Sequence, residues 1–261
     1  MNAEAGTLVL IHPIANSREC WQFLNLAALD RLVERYEMPG HGHTPRQRDM
    51  SFTSMADDIV LQFGGPLHLL GIAVGAFIAQ QVLVRHPGRV LSALLVNGAP
   101  VVAHPPEAQQ RLIARGEGAA DTGMEALVAE TFQRWFTPAA QQQPNLPGVA
   151  WARRTLIEMQ PAAWADIWRA NATSEAIAPN QLAAIQQPIS LIAGINDWPA
   201  GPRGSQALHR LLPNSRLQYV PGPHMVHLER PASLLSAIGH HFSWLDVSAQ
   251  RVDAPLYFEG E

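Results

Sequence analysis

Between the short apolar run Pro66-Leu67-His68-Leu69-Leu70 and a helical stretch from Ala76 to Arg85, the chain turns through Gly71-Ile72-Ala73-Val74-Gly75. Two glycines four positions apart let a strand fold back into a helix with no side chain in the crease. This confines the segment to a strand-to-helix crossover in a layered α/β fold. Such turns also arise for packing alone, so this one dictates architecture before chemistry. A serine at the centre of a G-x-S-x-G turn exposes its hydroxyl at the top of a sheet. Here the centre is Ala73, whose methyl cannot attack anything.

The flanking sequence repeats the same alternation. Thr7 to Ile11 reads as a buried parallel strand ending at His12-Pro13, Trp21 to Asp30 has helical spacing, and Leu32 to Met38 reads as a strand halted by Pro39-Gly40-His41-Gly42. Ser54 to Phe63 reads as a helix. Ala93 to Val96 reads as a strand that follows the stop His86-Pro87-Gly88. From Val101 to Gln187 the strands disappear, and helical segments rich in Ala, Gln and Trp are separated by prolines. Alternation resumes after Pro188 with strands at Ile189 to Ala193 and Arg216 to Val220, a helix from Gly204 to Leu212, and a closing helix from Ala232 to Trp244. The expected architecture is a mostly parallel, doubly wound sheet formed by residues 1–100 and 188–246, a helical cap at 101–187, and a surface tail at 247–261.

With 261 residues, 47% of them apolar, the chain can bury a large core. Charged residues make up 15% and the formal net charge is -4, so nothing favours nucleic acid or an anionic membrane as partner. A small, mostly neutral molecule fits better, and a homodimer is compatible with the composition. The single Cys20 cannot form an internal disulfide. Leu8 to Ile11 is too short for a signal or a membrane span, so the expected location is cytoplasmic. His12, His41 and His43 lack the Cys or carboxylate spacing of a metal site, and neither metal nor cofactor is expected.

Two loops of the resumed sheet carry the remaining chemistry. One is Gly194-Ile195-Asn196-Asp197; the other runs from Pro221 through His224 to Pro231. In an open parallel sheet, groups just beyond the carboxyl ends of different strands meet in one crevice. Ala73, Asp197 and His224 are therefore expected together, in the chain order nucleophile position, acid, histidine. Asn97 closes another strand but is uncharged and cannot serve as the acid, and His227 reads as a packing neighbour.

With these motifs, and with Glu37-Met38-Pro39-Gly40-His41-Gly42-His43-Thr44, the chain resembles the α/β-hydrolase superfamily from Leu8 to Trp244, close to small capped enol-lactonases, esterases and carbon–carbon bond hydrolases. The resemblance implies a triad with His224 as base and Asp197 orienting it, Ala73 at the nucleophile position, and an oxyanion hole from the backbone N–H groups of Ile14 and Val74. It departs at Pro13, where relatives carry glycine, at Glu37, where they carry aspartate, and at Ala73. His12 is expected near the substrate, and Trp135, Trp151, Trp164 and Trp168 are expected to roof an apolar or aromatic pocket. Taken singly, each tryptophan is more ordinarily core. The expected function is hydrolysis of a small, hydrophobic or aromatic ester, lactone or carbon–carbon substrate by a Ser-His-Asp mechanism, left nearly inactive by an engineered serine-to-alanine change at residue 73 of the kind made to trap substrate. The alternatives are a natural non-catalytic binder and a cofactor-free lyase or oxygenase that uses the His-Asp pair as general base.

Overall fold

The computed structural model describes residues 6–197 and 201–252, the side chains of 248–252 excepted. Six strands, β1 (Thr7–Ile11), β2 (Val33–Tyr36), β3 (Leu67–Ile72), β4 (Val90–Val96), β5 (Ile189–Gly194) and β6 (Ser215–Val220), form one sheet in the order β2-β1-β3-β4-β5-β6. Every pairing is parallel. The physical cause is visible in the strands: each residue of β3 and β5 is buried, so the centre of the sheet is covered on both faces. The edge strands β2 and β6 keep exposed positions.

The helices are α1 (Phe52–Gln62), α2 (Val74–Arg85), α3 (Pro106–Thr122), α4 (Val128–Trp135), α5 (Pro138–Gln141), α6 (Pro147–Glu158), α7 (Pro161–Ala172), α8 (Pro179–Ala183), α9 (Gly201–His209), α10 (Val226–Glu229) and α11 (Pro231–Val252). Prolines open α3, α5, α6, α7 and α8 within the first turn, where a missing N–H costs nothing. No helix among the described residues is long and apolar enough to cross a membrane.

Two expectations need correction. The stretch expected as a helix from Trp21 to Asp30 is two 3-10 turns, Arg18–Phe23 and Leu26–Leu29, separated by an extended Leu24 and closed by Asp30 in the left-handed region at φ 46°. Trp21, Leu24 and Leu26 are still buried, but each turn delivers its own side chains without a continuous 3.6-residue stripe. The tail expected from 247 onward continues α11 as far as Val252; residues 253–261 lie outside the described residues.

A buried polar chain fastens α11 to the sheet. His241 bonds Ser190 Oγ at 2.7 Å and Ser92 Oγ at 2.8 Å, and Ser92 Oγ lies 2.7 Å from His68 Nδ1. Both ring nitrogens of His241 are used, so burial is tolerated in the neutral state.

The chain runs from β1 outward to β2 and then returns across β1 to β3. This reversal makes the carboxyl ends of β1 and β3 the topological switch point, where such sheets open a crevice.

Candidate active site

Register places the candidate residues along one edge. Ile11 pairs with Gly71, Ile72 with Val96, Val96 with Ile192, and Gly194 with Val220. His12, Ala73, Asn97, Asp197 and His224 all follow these strand ends. At the turn, Ala73 has φ 52° and ψ -112°, a conformation costing about 1–3 kcal/mol for a residue with a side chain. Both glycines are required. A Cβ on Gly71 would lie 2.2 Å from Gly75 O, and one on Gly75 would lie 2.2 Å from Ile11 O and 2.9 Å from His12 O.

That close approach sets the first turn of α2 against the loop after β1, which carries Ile14. Ile14 and Val74 are both nearly buried. Val74 opens α2, so its N–H has no partner within the helix. The N–H of Ile14 enters no backbone hydrogen bond among the described residues.

The acid and histidine loops pack on each other through a second pair of glycines. A Cβ on Gly194 would meet Gly222 O at 2.5 Å, and Asn196 N–H donates to Gly222 O at 3.0 Å. The outcome is a hydrogen bond of 3.0 Å between His224 Nδ1 and Asp197 Oδ2, with the Asp197 side chain 2% exposed and that of His224 22% exposed. With Nδ1–H directed at the carboxylate, Nε2 carries the lone pair, which is the arrangement a general base needs.

The histidine loop is also tied to the helical segments between β4 and β5. Glu229 accepts from Thr137 N–H at 2.9 Å and from Thr137 Oγ1 at 2.8 Å, and Met225 N–H donates to Trp135 O at 3.0 Å. Gly148 in α6 sits against the backbone of Leu228. Trp135 therefore adjoins the histidine loop. Trp151 meets Phe23 edge-on at 6.0 Å. Trp164 instead donates its indole N–H to Arg115 O in α3, and Trp168 packs on Trp164 beneath the Arg115 guanidinium.

His12 follows the end of β1. It is fully buried; its Nδ1 lies 2.9 Å from Pro13 O, and its Nε2 lies 3.1 Å from Met38 N and 2.9 Å from Glu37 Oε1. Nε2 ties the loop after β1 to the residues that follow β2, while Nδ1 bonds the Pro13 carbonyl within its own loop. Glu37 completes this junction by accepting from Arg18 N–H at 2.8 Å.

A cleft of about 370 Å³ opens between the loop at Ala15, Asn16 and Ser17, the 40–46 loop, and the end of α6 at Thr155, Glu158 and Met159. It is polar, and neither the four tryptophans nor Ala73, Asp197 or His224 line it. No group of three or more metal-ligating side chains occurs among the described residues.

His41 and His227 are fully enclosed beside this region, and each has its pKa lowered from 6.5 to about 3, first by burial and then by neighbouring histidines. His241 is likewise lowered to about 3 by burial. The folded value lies below the unfolded one, so the unfolded chain takes up protons first as pH falls through 6.5. Stability is complete above that pH and declines toward pH 3. At pH 5 each histidine is expected to cost about 2 kcal/mol. Thermal melts should show a markedly lower Tm at pH 5 than at pH 7.5, and an unchanged Tm would contradict neutral burial.

In sequence, Glu229 and Thr137 carry no mark as site residues and Asn97 is offered only as a rejected acid, because their contacts depend on which distant carbonyl, hydroxyl or carboxylate they meet.

The profile of the alpha/beta hydrolase fold family matches residues 6–231. The chain is 26% identical over 210 residues to a pimeloyl-[acyl-carrier protein] methyl ester esterase of Neisseria meningitidis serogroup B, covering 77% of this chain and 80% of that protein. Its fold is similar to that of the enol-lactonase from Burkholderia xenovorans LB400, with TM-score 0.80, 19% identity and 91% of each chain covered. It is also similar to a thermophilic esterase from Thermogutta terrifontis, with TM-score 0.81, 21% identity, and 92% of this chain and 89% of that one covered. The chain belongs to the alpha/beta hydrolase fold family.

Proposed function

We propose that this protein is a hydrolase scaffold for a small, hydrophobic or aromatic ester or lactone, in which Ala73 stands where a serine hydroxyl would complete a triad with His224 and Asp197. The observation that carries the reading is the left-handed Ala73 at the same sheet edge as the paired imidazole and carboxylate. Alanine gains nothing from that conformation, which glycine would adopt at less cost. The backbone is shaped to present a side chain, and alanine is serine without its oxygen.

In this reading the N–H groups of Ile14 and Val74 polarise the substrate carbonyl, and helices α3 to α8 form the cap. Trp135 and Trp151 are its candidate aromatic contacts, while Trp164 and Trp168 brace α3 against α7. The name of the Neisseria relative supports an ester substrate and that of the Burkholderia structure a lactone, each by likeness alone. Without the hydroxyl, no acyl-enzyme forms. His224 can still take a proton from water as that water attacks a bound carbonyl, and residual catalysis of roughly 10³- to 10⁴-fold over water is the scale expected when a triad member is lost.

The reading predicts binding without appreciable turnover. Titration with p-nitrophenyl butyrate or an aryl enol lactone should quench tryptophan fluorescence saturably, and the ester should be recovered intact. Turnover by the unaltered protein at ordinary enzyme rates, about 1 s⁻¹ or faster, would instead establish chemistry that needs no nucleophile at position 73.

A further inference from the structure

Asn97 ends β4 with φ 49°, a left-handed conformation that asparagine tolerates better than most side chains, and it is nearly buried. Its main chain and side chain join three strand ends. Its N–H donates to Ile192 O at 2.8 Å, and its Oδ1 accepts from Gly194 N–H at 2.7 Å. Its Nδ2 donates to Pro223 O at 3.2 Å and to His224 O at 2.9 Å. The preceding carbonyl, Val96 O, accepts the Ala73 N–H at 3.0 Å. One dipeptide thus contacts the backbone of the Ala73 turn, the strand leading to Asp197, and His224 itself.

We propose that Asn97 is a positioning residue for His224, its amide clamping the backbone of the histidine loop to the β5 end so that the imidazole keeps its bond to Asp197. The inference rests on His224 being the base, as read above. The imidazole is held at Nδ1 by Asp197, and the clamp at the His224 carbonyl holds the backbone from which the ring is hung, so together they narrow where Nε2 lies. An amide is the group this place requires. It meets one N–H with an oxygen and two carbonyls with N–H donors. An aspartate could still accept from Gly194 but would set a carboxylate oxygen against the carbonyls of Pro223 and His224, losing both donors in a buried place. This accounts for an uncharged residue at a strand end where a carboxylate would have made a second candidate acid.

The test uses Asn97→Gly and Asn97→Asp, each made in the unaltered protein and in Ala73→Ser. Glycine adopts the left-handed backbone freely, so Asn97→Gly removes the amide without adding strain. In the unaltered background, ring ¹⁵N shifts of His224 report its tautomer. Both variants should lose the single Nδ1–H tautomer, with Asn97→Asp no closer to the parent than Asn97→Gly. In the Ala73→Ser background, kcat on p-nitrophenyl acetate should fall on the order of 10²-fold with KM little changed, as expected for misplaced rather than missing chemistry. Parent-like shifts and kcat in both variants would overturn the inference, as would full rescue by aspartate. If the glycine variant fails to fold, Asn97→Asp decides alone. If Ala73→Ser itself is inactive, the esterase reading fails, while the shifts still decide the role of Asn97.

Discussion

Ala73→Ser is expected to raise kcat/KM for p-nitrophenyl acetate by at least 10³-fold over the unaltered protein, a floor set well below the roughly 10⁶-fold by which nucleophile loss disables a serine triad. The gain is large because the turn conformation at position 73 and the His224–Asp197 pair both exist before the hydroxyl arrives. The turn already holds position 73 at φ 52° and ψ -112°, so serine brings one oxygen and no new backbone cost. His224 has Nδ1 committed to Asp197 at 3.0 Å, leaving Nε2 as the proton acceptor. In the proposed reading, the N–H groups of Val74 and Ile14, which have no backbone partner among the described residues, meet the charge that develops on the carbonyl oxygen. Pre-steady-state mixing should reveal a burst of p-nitrophenol near one equivalent per protein, the mark of an acyl-enzyme. A variant that folds normally yet shows neither burst nor gain would remove the triad reading altogether.

Much of this arrangement was legible in the sequence because the deciding signals are local. Runs such as Thr7 to Ile11 and Ile189 to Ala193 are short and rich in apolar and β-branched residues, as suits a strand covered on both faces, and the observed strands begin at the same residues. The turn at Gly71 to Gly75 was legible because two glycines at fixed spacing have a steric reason to exist, and the structure places carbonyl oxygens where their side chains would be. The pairing of Asp197 with His224 followed from each lying a few residues past a parallel strand. What could not be read are contacts whose partner is chosen by the fold. Nothing near Asn97 in sequence indicates that its amide spans to residues 194, 223 and 224. Nothing near Trp164 distinguishes an indole bonded to Arg115 O from one facing a ligand. His12 follows a strand just as a site residue does, yet its nitrogens are taken by Met38, Glu37 and Pro13. Periodicity also misled where two short 3-10 turns buried the same residues that one helix would have buried.

In the Ala73→Ser background, Asp197→Asn is expected to lower kcat by about 10⁴-fold, the scale seen when a triad aspartate becomes an amide. The side chain of Asp197 is 2% exposed, so water cannot replace what it provides. Its carboxylate does two things: it accepts Nδ1–H and so leaves Nε2 unprotonated, and it stabilises the imidazolium that forms when the serine proton is taken. An amide that turns its NH₂ toward Nδ1 forces the proton onto Nε2 and abolishes the base; one that turns its oxygen keeps the tautomer but supplies no countercharge. Either orientation lowers kcat, and neither alters a group that grips the ester, so KM should change little. Because the replacement is isosteric, an unchanged thermal melt separates this loss from unfolding. A fall of less than about tenfold would mean that Asp197 merely braces the loop, since a carboxylate that sets both tautomer and countercharge cannot be removed so cheaply.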